Sequence, residues 1–117
     1  MFRTALLTLV AAALLVMPAQ AKTTGLKGEV GPGFSIEVEK GNKDLKTIKA
    51  GTYSIKIQDK SSIHNFHLKG PGVNKSTSVG FVGERIWTVT LKPGKYTYWC
   101  DPHSSMMHGS FRVVASS

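Results

Sequence analysis

The chain has 117 residues, with 15 Lys and Arg against 7 Asp and Glu, a formal net charge of +8 and one cysteine. That length supplies one domain with one core and excludes an enzyme of several layers. A single cysteine excludes an internal disulfide, so any staple must come from another chemistry.

In chain order, the first predicted element is an export signal. Arg3 is a positive n-region, residues 5–17 are a short apolar run, and Ala19-Gln20-Ala21 is a small-x-small cleavage site. Residues 1–21 are therefore expected to be removed, leaving a domain over 22–117 in the periplasm. The apolar run is shorter than the roughly 18 residues of a spanning helix, so no stable membrane insertion is expected. No cysteine follows the run that could carry a lipid anchor. Removal takes Arg3 with it and leaves 14 basic against 7 acidic residues, a net charge of +7. Nucleic acid is then excluded as a partner on grounds of compartment. An acidic docking surface on a partner protein, or an anionic membrane surface, fits the charge.

The rest reads as short strands between Gly, Pro, Asn and Asp. Residues 34–39 alternate Phe34, Ile36 and Val38 with polar neighbours, and 53–57 alternate Tyr53, Ile55 and Ile57. Residues 40–44 form a turn. The lysines at 40, 43, 46 and 49 form a solvated basic face. Further strands are expected over 63–68, 85–91, 96–100 and 110–114. Lys92-Pro93-Gly94-Lys95 has the residues of a type II turn. Turns at this spacing predict an all-β sandwich or barrel.

The chemistry gathers around the cysteine. Cys100 ends a strand, and Pro102 keeps Asp101 extended, so the chain leaves the strand without starting a helix. His103 follows three residues later, then Met106 and Met107. In an oxidising compartment a free thiol is exposed to oxidation, so Cys100 is either buried or occupied. A further donor is available upstream, in the stretch Ile63-His64-Asn65-Phe66-His67-Leu68. On a strand, His64 and His67 face opposite ways. Phe66 and Leu68 share the face of His64, which makes His64 the inward one and His67 a polar strand residue. A thiolate, two imidazoles and a weak thioether match a trigonal His2Cys copper centre with a long axial Met. Zinc prefers four Cys or His ligands. A nucleophilic Cys–His pair lacks a recognisable orienting group and oxyanion hole.

The stretch 98–109, Tyr-Trp-Cys-Asp-Pro-His-Ser-Ser-Met-Met-His-Gly, taken with residues 63–68, resembles the cupredoxins, the small type 1 blue copper proteins of the plastocyanin, pseudoazurin, amicyanin and azurin kind. The resemblance extends to residues 91–100 and to the terminal strand. It implies a two-sheet Greek-key β-sandwich binding one copper ion, with His64, Cys100 and His103 as strong ligands. It implies that the Asn65 side chain ties the two ligand loops together and that an edge of His103 reaches the surface. In this family the axial Met is commonly followed by one residue, then Gly and the last strand. Met107 fits that frame before His108 and Gly109; Met106 is the amicyanin-like alternative, three residues after His103. Trp99 occupies a place that lies on a second electron route in the plastocyanin branch, though packing alone accounts for it. His108 is read as a solvent-facing histidine.

Two functions follow from that resemblance. One is a monomeric, diffusible one-electron carrier. The other is a copper chaperone, store or resistance module. An enzyme is not expected, because copper oxidases and reductases need further histidines and the chain has four in all.

Overall fold

The structure is a computed structural model and describes residues 24–117. The export segment read over residues 1–21 lies outside the described residues. Ten strands form two five-stranded sheets. The first sheet orders β3 (Lys43–Asp44), β2 (Ile36–Lys40), β1 (Thr24–Val30), β5 (Gly51–Asp59) and β8 (Gly83–Leu91). The second orders β4 (Thr47–Lys49), β10 (His108–Val114), β9 (Gly94–Trp99), β6 (His67–Gly70) and β7 (Val73–Ser76). Both sheets are mixed: β1 runs parallel to β5, and β4 parallel to β10. Such pairings require connections that cross between sheets, as the expected Greek-key sandwich does.

Alternation explains which side chains enter the core. Ile55 and Ile57 on β5, Val89 and Leu91 on β8, Tyr96 and Tyr98 on β9, and Phe111 and Val113 on β10 are all buried at every second position. Tyr96 anchors the bend before β9: its hydroxyl accepts the Lys92 N–H (2.9 Å) and donates to the Pro71 carbonyl (2.7 Å). This is the arrangement of a tyrosine corner. The expected type II turn is absent there. Gly94 has φ 143° and already belongs to β9, away from the value near +80° that such a turn needs.

Other expectations are corrected. The lysine-rich stretch is not one continuous face. Gly41 and Asn42, both at positive φ, form a hairpin turn between β2 and β3, and Leu45 and Ile48 turn inward between exposed lysines. Strand β2 starts at Ile36 rather than Phe34, because the Gly31 N–H bonds to the Ser35 carbonyl (2.9 Å) and closes a loop over 31–35. Strand β1 was not anticipated. Gly28 breaks its apolar alternation, yet it sits where a Cβ would meet Ile57 at 2.8 Å and the Phe66 ring at 2.9 Å. Among the described residues, no helix is long and apolar enough to cross a membrane.

Candidate metal centre

Cys100 follows β9 with extended backbone, φ −96° and ψ 122°. A single 3₁₀ turn, Asp101–His103, then reverses the chain. The expectation that no helix begins after Cys100 is thus corrected to one short turn, for which Pro102 is suited at an early position. The His103 N–H bonds to the Cys100 carbonyl (3.1 Å). The Met106 and Met107 N–H groups both bond to the His103 carbonyl (3.0 and 2.8 Å), and the Cys100 N–H bonds to the Met107 carbonyl (3.0 Å). The loop therefore closes on itself, with Met107 beside Cys100. Met107 is 1% exposed and Met106 is 65% exposed.

His64 arrives from a loop, not from a strand. Strand β6 begins only at His67, and His64, Asn65 and Phe66 are buried in succession. Strand alternation would have put Asn65 outside. Loop backbone lifts that restriction and lets three consecutive side chains serve different partners. Phe66 enters the core against Tyr98 and Trp87 (ring centroids 5.9 and 6.1 Å). Asn65 bridges three segments. Its Nδ2 donates to the Thr77 carbonyl (3.1 Å) and to Asp101 Oδ2 (2.7 Å), and its Oδ1 accepts the Asp101 N–H (2.7 Å). The side chain thus ties the His64 loop to the Cys100 loop.

These constraints bring three donors together. His64 Nδ1 lies 3.7 Å and His103 Nδ1 3.6 Å from Cys100 Sγ, and the two nitrogens are 3.1 Å apart. A point equidistant from all three lies about 2 Å from each, close to ordinary metal–nitrogen and metal–sulfur bond lengths. Cys100 and His64 are fully buried, while His103 is partly exposed. Phe34, the first apolar residue of the 34–39 alternation, lies outside β2 and does not enter the core. Instead it lies over the donors, edge-on to the His64 and His103 rings (5.3 and 5.0 Å), and is 54% exposed. No sequence periodicity marks this contact, because it joins three loops far apart in the chain.

Beside the donors, Asp101 organises the other histidine. Its carboxylate accepts from Trp99 Nε1 (2.7 Å) and lies 3.0 Å from His67 Nδ1, while His67 Nε2 lies 2.6 Å from Asn74 Oδ1. Burial pushes the Asp101 carboxyl up, but the hydrogen bonds from Asn65, His67 and Trp99 outweigh it and hold the group below the ordinary aspartate range. His67 stacks on Trp99 at 4.2 Å, so it is occupied away from the three donors. His108 is exposed and bonds to the Ser104 carbonyl (2.9 Å). Burial also pushes the Asp59 carboxyl upward, against the hydrogen bond from the Ser61 N–H.

A two-sheet sandwich with a buried thiol and two convergent imidazoles at one end defines a small copper protein of the blue type. Residues 33–114 match the family described as copper binding proteins, plastocyanin/azurin family, and the chain belongs to it. Among solved structures, it is similar to reduced rusticyanin, at 26% identity and TM-score 0.60 over 80% of this chain and 81% of that one. A single-site variant of rusticyanin matches at 25% identity and TM-score 0.59, over 80% and 79% of the two chains. Rusticyanin from Thiobacillus ferrooxidans matches in fold, at 24% identity and TM-score 0.56, over 80% and 79%. The donor set suits one type 1 copper ion.

Proposed function

We propose that this chain is an exported, periplasmic one-electron carrier, not an enzyme, whose copper is held by His64, Cys100 and His103 with Met107 as the axial donor. The observation that carries this reading is the closed triangle of Nδ1, Nδ1 and Sγ. Copper, when bound there, supplies the one-electron couple. The residues do the rest. The tie from Asn65 and the closed loop from Cys100 to Met107 hold the donors in one arrangement, so little rearrangement accompanies a change of charge. Burial of Cys100, His64 and Met107 keeps water away from the thiol. His103 is the partly exposed imidazole, Ile63 and Met106 are exposed apolar side chains on the loops that carry the donors, and exposed Phe34 reaches over them from the loop at 31–35. An electron can pass by that edge, whereas a metal ion must break a buried shell to leave. This favours a carrier over a copper-handling module. The test is reversible voltammetry of the copper-loaded protein alongside the rate of copper loss to a chelator. Electron exchange should be many orders of magnitude faster; copper loss on the same timescale would point to metal delivery.

The two methionines separate cleanly by burial. Met107→Leu is expected to keep copper while shifting the reduction potential and the visible spectrum, because a long axial bond tunes the site rather than holding it. Met106→Leu should change both little. Voltammetry and absorption of the two variants check this, and the reverse outcome would move the axial donor to Met106.

The excess of lysine bears on partners. Association with an acidic redox partner should slow as ionic strength rises, since the Debye length falls to about 8 Å at physiological salt. Stopped-flow rates over a salt series check this; a flat series would assign the lysines to solubility.

A further inference from the structure

Two buried polar side-chain atoms at the metal end have no hydrogen-bond partner: His64 Nε2 and Asp59 Oδ2. Their residues are 0% and 2% exposed. An unsatisfied buried polar group is costly, and such groups are rare in native proteins. These two are complementary. His64 turns Nδ1 toward Cys100 and His103, so that nitrogen must keep its lone pair to hold a metal. The proton of the neutral ring then sits on Nε2, which becomes a donor, and Asp59 Oδ2 is an acceptor.

They also share one corner of the fold. Asp59 is the last residue of β5 and pairs with Val30. Its side chain points inward, two positions beyond buried Ile57. Its other oxygen accepts the Ser61 N–H (3.0 Å), and the Ser61 carbonyl accepts the His64 N–H (3.4 Å). A Cβ on Gly31 would lie 3.0 Å from Ser61 Cβ and 3.3 Å from His64 Cδ2, the ring atom bonded to Nε2. The Nε2 edge of the imidazole and Ser61, which the Asp59 carboxylate caps, therefore both lie against Gly31. The loop bond to Ser61 uses one carboxylate oxygen and leaves the other buried without a partner.

We propose that Asp59 is a positioning residue for the metal centre: its free oxygen is the acceptor for the His64 Nε2–H, met across one enclosed water. A carboxylate behind a ligating histidine fixes the tautomer and ring orientation and raises ligand basicity. Here it also places a negative charge behind His64, which favours Cu(II) over Cu(I). The inference rests on His64 being a copper ligand, as read above.

Asp59→Asn in the copper-loaded protein tests it. Asparagine retains an oxygen for the Ser61 N–H but removes the charge. The visible band should persist, and the preference for Cu(I) over Cu(II) should rise about tenfold, about 59 mV for one electron. In the Cu(I) protein, nitrogen-15 NMR should show a slowly exchanging, downfield His64 Nε2–H that moves upfield in the variant. An unchanged potential with an unchanged signal would assign Asp59 to the loop alone and overturn the proposal. Should the variant fail to fold, the parent protein still decides: a His64 Nε2–H at the position of a proton without a hydrogen bond overturns it, and a downfield one supports it. A parent protein that takes up no copper would overturn the ligand reading and this inference together.

Discussion

Cys100→Ser is expected to abolish the intense visible absorption of the Cu(II) protein while leaving the sandwich folded. The band arises from charge transfer between a thiolate and copper, and Cys100 is the chain's one sulfur of that type. Copper affinity should fall by more than the 10–100-fold typical of losing an outer-shell partner, because a hydroxyl is a poor substitute for a soft thiolate. Folding should survive. Serine is smaller, and its hydroxyl can bond to the imidazole nitrogens that lie 3.6 and 3.7 Å from the sulfur. Absorption spectroscopy with copper titration, alongside circular dichroism of the metal-free protein, checks both parts. An intense band in the serine variant would place the copper elsewhere.

The second large effect is on stability. Gly70→Ala is expected to lower the unfolding free energy by about 3 kcal/mol, at the upper end of ordinary overpacking costs. A Cβ there would lie 2.2, 2.5 and 2.6 Å from atoms of the Tyr96 ring. That ring cannot step aside. It is fully buried, stacked on Phe111 at 5.4 Å, and held through its hydroxyl to the Lys92 N–H and the Pro71 carbonyl. Relief requires β6 to move off β9, and both strands lead into the metal-end loops. Against a total of roughly 5–15 kcal/mol for a small domain, such a loss lowers Tm by about 10 °C or more. Gly25→Ala is the control, since nothing lies within 4 Å of a Cβ there, and it should change stability by less than about 0.5 kcal/mol. Denaturant midpoints of the metal-free proteins check the pair. Equal effects at the two glycines would show that the Tyr96 contact is not what constrains Gly70.

What the sequence by itself determined is local. Cys100, His103 and the two methionines stand within eight residues, so their spacing alone states that a thiol, an imidazole and a thioether share one loop. The strands with regular alternation, such as Ile55 and Ile57 on β5, declare their buried face because a pleated strand has a period of two. The family was legible for the same reason: its signature lies in short contiguous stretches. His64 was singled out by a strand rule although it lies on a loop, and the same rule misplaced Asn65, whose burial comes from partners at Thr77 and Asp101. The tertiary structure decided the rest. The parallel pairings of β1 with β5 and β4 with β10, and Phe34 over the histidine rings, join segments distant in the chain, and the burial of Met107 beside an exposed Met106 depends on how their loop folds against the core. Contacts of that kind leave no periodic trace along a sequence, because they depend on how two sheets and their end loops come together once the core has closed.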